Sequence, residues 1–270
     1  MRVLSLIHLK GGVAKTLSSV NMAYILAAVH KKKVLLMDND KQGNASKILN
    51  RHSYDRPGVA EILTGRDMDM KETIQHTDYE GLDIVTANMN LISASLAVML
   101  DQKRPQQTRF KKAFGQVGDA YDFCIIDNAP DINISTINAL AASDDVLVPI
   151  TVDDFAIDGL AELKEQIDYT REDLNPSLRF CGCFITQYDR QNEADRQGME
   201  YLKALGEYPL LETYIRRTGK MKPSTFAREP ILLYSSRCGA SRDYKALVEE
   251  YLKMCPSWTQ QGGEKGGETK

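Results

Sequence analysis

The sequence contains no apolar run long enough to cross a bilayer and no N-terminal signal segment; Met1 leads straight into the strand-like Val3-Leu4-Ser5-Leu6-Ile7. A spanning helix needs about 20 consecutive apolar residues, so that class is excluded and a cytosolic protein is expected. No CxxC pair occurs. The five cysteines, Cys124, Cys181, Cys183, Cys238 and Cys255, are odd in number and scattered. They read as reduced thiols, not as a disulfide framework or a metal cluster. Cys181 and Cys183 alternate along the apolar stretch Phe180 to Thr186, which would place them on one face of a strand. An excess of positive charge is also missing, since the formal net charge is −3. Contact with nucleic acid would therefore have to come from a local basic patch. There is no internal repeat and no long linker. Gln260 to Lys270 is rich in glycine and charge without an apolar anchor, so residues 256–270 are expected to form a flexible tail.

What is present is an alternation of short apolar runs with amphipathic stretches. At 270 residues, 43% hydrophobic and 26% charged, the chain is large enough for one α/β domain with a buried core, expected over residues 1–255. Candidate strands are Val3 to His8, Lys33 to Met37, Leu82 to Thr86, Phe123 to Ile126, Val146 to Ile150 and Phe180 to Thr186. They are rich in Ile, Val and Leu with little alternation, as strands covered on both faces are. Val20 to Val29, Leu91 to Leu100, Ile157 to Tyr169 and Tyr244 to Leu252 carry helical periodicity. The pattern predicts a doubly wound, mostly parallel twisted sheet with helices on both faces.

Between the first strand and the first helix lies Lys10-Gly11-Gly12-Val13-Ala14-Lys15-Thr16. A glycine-containing turn between a strand and a helix gathers backbone N–H groups and a helix N-terminus around one point, which is an anion site. Gly11 and Gly12 allow the chain close to a phosphate, Lys15 is placed to reach the β- and γ-phosphates, and the Thr16 hydroxyl to ligate Mg²⁺. The standard G-x-x-x-x-G-K-[ST] motif is not matched, because Leu9 and Ala14 occupy its glycine positions. The segment instead resembles K-G-G-x-x-K-[ST], the deviant Walker A box of the ParA/MinD family of ATPases. That resemblance implies ATP and Mg²⁺ as ligands, and a Lys10 that crosses a dimer interface to the partner's nucleotide. Ala14 places a methyl near the phosphates and Leu17 lacks a hydroxyl common among relatives, so both bear on binding and rate.

The carboxylates that such a site needs stand at two further strand ends. Asp38-Asn39-Asp40-Lys41-Gln42-Gly43-Asn44 resembles the family's D-x-D-x-Q-G-N segment, which implies that Asp40 positions the attacking water, Asp38 lies near the metal and Asn44 reaches the site. Tyr121 to Asp127 is an apolar strand ending in a carboxylate, a Walker B pattern in which Asp127 would hold a Mg²⁺-bound water. Asn128-Ala129-Pro130 would form a γ-phosphate sensor loop. Further similar segments are Asn138 to Pro149, Phe155 to Leu160 and Pro230 to Tyr234, and the resemblance spans about Met1 to Leu252.

The resemblance implies a slow, partner-stimulated ATPase that dimerises on ATP and acts on a surface. Arg216, Arg217, Lys220, Lys222 and Arg228 crowd one segment, and Arg190 extends the patch. In the ParA branch, Arg190 and Lys220 stand at positions implicated in sequence-independent DNA contact, while Arg217 and Thr218 border the adenine. The expected protein is a nucleoid-associated, DNA-binding partition ATPase with a ParB-type partner. The alternatives are a MinD-like or cargo-positioning ATPase and an ATP-binding regulator with negligible hydrolysis. The membrane form of the MinD reading requires a C-terminal amphipathic helix, which the glycine-rich end after Trp258 does not supply.

Overall fold

A computed structural model describes residues 1–255, without the side chains of residues 154–158. The expected tail and Trp258 lie outside the described residues. The first half runs β1 (Arg2–Leu6), α1 (Lys15–Ala28), β2 (Val34–Asn39), α2 (Asn44–Ile48), α3 (Val59–Thr64), β3 (Ile74–His76), β4 (Leu82–Val85), α4 (Asn90–Leu100) and α5 (Arg109–Phe114). It continues with β5 (Phe123–Asn128), α6 (Ile134–Ala142), β6 (Asp145–Ile150), α7 (Asp154–Asp173) and β7 (Arg179–Ile185). The last helices are α8 (Glu193–Leu205), α9 (Met221–Ala227), α10 (Ile231–Tyr234) and α11 (Gly239–Met254).

The strands form one sheet in the order β3-β4-β2-β5-β1-β6-β7. All pairings are parallel except that of β3 with β4. The fold is therefore the doubly wound parallel sheet expected from the alternation of elements. β3 was not among the expected strands; its three residues pair at an edge and are too short for a period-two signal.

Side chains along each strand alternate between two apolar layers, as a pleated backbone requires. Leu4, Leu36 and Ile125 pack toward α1 and α11, whereas Val3, Leu35 and Ile126 pack toward α3, α4 and α5. Cys181 and Cys183 break this rule and correct the same-face expectation: Cys181 joins the α1/α11 layer and Cys183 joins the layer under α7. The cause is a register shift opposite Val146 and Leu147, at Gly182, whose φ is +119°. A Cβ on Gly182 would stand 2.4 Å from the Pro209 carbonyl oxygen. The extra residue turns one cysteine over. At the N-terminal ends of the strands, Asp145 accepts from Arg2 at 2.6 Å, Arg179 at 2.8 Å and Tyr251 at 2.8 Å. These bonds lock β1, β6 and β7 together and leave the opposite ends, where the loops gather, to form a site.

Candidate functional site

β1 ends at Leu6, earlier than expected, and the freed residues turn through Gly12 at φ +83° and Ala14 at φ +63° into α1. No side chain caps α1, and its first turn holds no acidic residue. Its leading N–H groups are thus left to whatever enters the loop. A Cβ built on Gly11 or Gly12 would meet nothing within 4 Å, so the loop surrounds open space. Lys15 is buried and folds back across this space, its Nζ donating to the Lys10 carbonyl at 2.8 Å. Burial pushes its pKa down, opposed by the nearby charges of Asp127, Asp40 and Asp131. Thr16 is half-buried at the mouth of the loop. The side chain of Val13 is fully buried and that of Leu17 packs on the α1/α11 layer, so both anchor the loop.

Ala14 holds a left-handed backbone that costs an L-residue about 1–2 kcal/mol. Ala14→Gly should relieve it, against about 0.4–1 kcal/mol of added unfolded-chain entropy. The expected net result is a rise of about 2–4 °C in the thermal midpoint of the nucleotide-free protein. Calorimetry checks this, and a lower midpoint would refute it.

The carboxylates converge because β2 and β5 run in register. Asp38 pairs with Asp127 and Asn39 with Asn128, inside the strands and not in the turns beyond them. Asp38 is fully buried; its Oδ2 accepts from the Ser46 backbone N–H at 2.8 Å and the Ser46 hydroxyl at 2.6 Å. Asp127 accepts from the Ser19 hydroxyl at 3.0 Å through Oδ1, the Thr16 hydroxyl also faces it, and its buried Oδ2 has no hydrogen-bond partner. Burial raises the pKa of both carboxyls, and Asp38 and Asp40 push Asp127 up further by repulsion. Asp40 is buried just past β2, its Oδ1 accepting from the Gln42 N–H at 2.9 Å. Asn44 opens α2 and is exposed. Asn128 does not project into a sensor loop as expected: it is buried, accepts from Asn39 at 2.9 Å, and donates to Ser5 and the Leu6 carbonyl at 3.2 Å. Its amide ties three strands together.

An unpaired buried carboxylate oxygen beside hydroxyls and a second carboxylate has the donor chemistry of a Mg²⁺ site, and the open glycine loop beside it suits a phosphate chain. A pH effect follows for the empty protein. The folded state holds the Asp127 proton to higher pH than the unfolded chain does, so stability falls as pH rises from the ordinary carboxylate range toward neutrality. Without nucleotide or divalent cation, Asp127→Asn is expected to raise the thermal midpoint more at pH 8 than at pH 5. A gain that is equal at both values, or reversed, would contradict this electrostatic account.

Contacts across the whole chain complete the site, and the sequence did not reveal them. Thr186 donates to the Val13 carbonyl at 3.1 Å, and Gln187, itself at φ +57°, donates to the Gly12 carbonyl at 2.6 Å. Lys10 is ion-paired with Asp153, which also accepts from Thr151 at 2.6 Å. Asp131, after the strand of Asp127, lies 3.8 Å from Lys41.

The basic segment sits beside this rim. The Arg217 N–H donates to the Tyr188 carbonyl at 2.8 Å, which joins the loop of Arg190 to the segment of Arg217 and Thr218. Arg217 is exposed and Thr218 half-buried. Arg190 is exposed, lies 5.4 Å over the Tyr214 ring and donates to its hydroxyl at 2.6 Å. Lys220 and Lys222 are exposed, and neither is ion-paired among the described residues. Arg228, also exposed, donates to Asn50 at 2.9 Å. Arg216 leaves the patch: its guanidinium is held by Asp243 at 2.7 Å through both Nε and Nη2. Among the described residues no helix is long and apolar enough to cross a membrane.

The family described as an AAA domain matches residues 1–180. The chain is 30% identical over 253 residues to the chromosome partitioning protein ParA of Caulobacter vibrioides, covering 93% of this chain and 94% of that protein. It is 31% identical over 249 residues to the sporulation initiation inhibitor protein Soj of Bacillus subtilis, covering 92% and 97%. A solved structure of cobyrinic acid a,c-diamide synthase from Mycobacterium smegmatis, with bound ATP analogue and magnesium, superposes with a TM-score of 0.83 at 26% identity, covering 98% and 97% of the two chains.

Proposed function

The chain belongs to the ParA/MinD family of P-loop ATPases, and from that premise we propose that it hydrolyses ATP to switch a dimer on and off DNA. The work done by that cycle is partition of a plasmid, mobile element or chromosome. The observation that carries this reading is the gathering of Lys10, Lys15, Asp40 and Asp127 at the ends of β1, β2 and β5. That is a phosphate cradle with its own acids, plus one lysine that a cradle alone does not need.

In this reading the loop from Lys10 to Leu17 binds the triphosphate and Lys15 neutralises its charge. Asp40 orients the attacking water, while Arg217, Thr218 and Asn44 border the nucleotide. Thr16, Asp38 and Asp127 hold Mg²⁺, partly through water, and the ion when bound offsets the charge that accumulates on the phosphates. Lys10 reaches across to a second copy, so that ATP joins two chains. A ParB-type partner then stimulates turnover. Arg190, Lys220, Lys222 and Arg228 contact DNA phosphates without reading bases, which suits a protein that must hold DNA anywhere along its length.

DNA co-sedimentation tests the reading. Binding is expected with ATP and not with ADP, should fall steeply between 50 and 200 mM salt as phosphate contacts predict, and should drop about tenfold or more in Arg190→Glu or Lys220→Glu. Equal binding in the two nucleotides would remove the switch. Zero turnover under every addition, with ATP still bound, would make the chain a regulator and not an enzyme.

A further inference from the structure

Among the described residues, the large apolar side chain most open to solvent stands inside the basic segment. Phe226, on α9, is 89% exposed. Ser224 is the one residue that α9 buries, and it fixes which face looks inward. At 100° per residue Phe226 lies about 200° around the helix from Ser224 and about 40° from Lys222, one turn earlier. The ring therefore faces solvent on the same side as a lysine. The C-terminal end of α9 is held. Arg228 turns the chain in the left-handed region at φ +56°, a position that glycine ordinarily fills, and its side chain donates to Asn50 at 2.9 Å. Phe226 is thus presented by a fixed helix and not by a loose loop.

The charge along this segment has one sign. From Thr213 to Arg228 the chain holds five basic residues, Arg216, Arg217, Lys220, Lys222 and Arg228, and no acidic one. Asp243 takes only Arg216. Arg217, Lys220 and Lys222 are exposed and form no ion pair among the described residues. Glu229, the next acid along the chain, is half-buried near Tyr24 and Tyr79, where burial first and its charge second raise both hydroxyl pKa values. Unmatched cations select a polyanion. Phosphates alone, however, give a phenyl ring nothing to bury against. Duplex DNA answers both, with phosphates for the cations and the apolar faces of stacked bases between them. A membrane surface would require a broad apolar face, and the other exposed positions of α9 are Lys222, Pro223, Thr225 and Ala227.

We infer that Phe226 is an apolar wedge that enters bound DNA from the minor groove and opens a base step between phosphates held by Lys220, Lys222 and Arg228. Such a contact rests on the DNA binding proposed above and supplies what the cations alone cannot, a deformation of the duplex. An apolar wedge partly unstacks one step and kinks the helix axis. A phenyl ring makes no hydrogen bond to a base edge, so it reads no sequence directly. Steps that open easily, TA and CA, are favoured over stiff A-tracts. Binding therefore remains available along any DNA and gains a preference for flexible stretches.

Fluorescence anisotropy tests this with the full chain, ATP and two labelled duplexes of equal length, one rich in TA steps and one built of A-tracts. Wild type should prefer the TA-rich duplex several-fold. Phe226→Ala should weaken binding to that duplex by about tenfold or more and erase the preference, with the slope of log affinity against log salt unchanged. Lys222→Ala should instead make that slope shallower by about 1 and keep the preference. Phe226→Leu, still an apolar wedge, should retain most of the affinity. Position 226 is exposed, and unchanged binding of a fluorescent ATP analogue confirms a folded protein. Wild-type affinity in Phe226→Ala, equal binding of the two duplexes by wild type, or an equal loss on both would overturn the wedge while leaving cation-mediated DNA binding in place. The wedge also falls if Phe226→Ala stays monomeric with ATP in sedimentation, which assigns the ring to a second copy, or if wild type floats with anionic vesicles and the variant does not. No DNA binding by wild type with ATP would instead end the DNA reading, and the wedge with it.

Discussion

Asp40→Ala is expected to bind ATP within about threefold of the wild-type affinity and to lose at least about 100-fold of its turnover. Asp40 is buried at the rim where β2 leaves the sheet, and the Gln42 N–H fixes its carboxylate. It sits close enough to Lys15 to favour that lysine's charged form. A group placed there has little to do with holding phosphates, which in the proposed function fall to Lys15 and the loop backbone. What it can do is hold a water in line, and positioned acid–base groups contribute about 10²–10⁴ in rate. Its charge also repels Asp38 and Asp127, so removing it relieves the fold and the variant should be no less stable. If the proposed switch holds, the variant accumulates in the ATP state and remains on DNA. Phosphate release, measured beside a fluorescent ATP titration, decides it: turnover within tenfold of wild type would take the catalytic role away from Asp40.

The phosphate loop was legible because its chemistry is contiguous. Lys10 to Thr16 carries its glycines, its lysines and its hydroxyl in seven successive residues, and the flanking strand and helix announce themselves by periodicity. Asp38 and Asp127 were legible as carboxylates ending apolar runs, but their adjacency was not, because it depends on the register of β2 against β5. The contacts of Gln187 with Gly12 and of Asp153 with Lys10 were invisible for the same reason, since they join residues 175 and 143 positions apart. Arg216 reads in the sequence as one more surface cation, but Asp243, on the last helix, holds it. Asn128 looked like a loop residue because a polar side chain after an apolar strand usually is one; here the sheet extends through it and uses its amide. The bulge at Gly182 leaves no periodic trace, so the faces of the two neighbouring cysteines were assigned by a rule that the backbone locally breaks.

The ion pair of Lys10 with Asp153 bears directly on the proposed switch. Both side chains are about one-third exposed, 34% and 35%, so solvent screens the pair and its strength is about 0.2–1 kcal/mol. A hold of that size keeps Lys10 on its own chain and still yields to a nucleotide phosphate. Releasing it in both chains of a dimer changes association by about 0.4–2 kcal/mol, or about 2–30-fold. Asp153→Ala is accordingly expected to dimerise with ATP at several-fold lower protein concentration than wild type. Lys10→Ala should bind ATP and stay monomeric. The two substitutions remove the same ion pair and are expected to move association in opposite directions, which loss of a merely structural contact would not do. Sedimentation equilibrium with ATP and with ADP measures both. If Asp153→Ala dimerises more weakly than wild type, Asp153 does not restrain Lys10 within one chain; its carboxylate supports the assembled dimer instead.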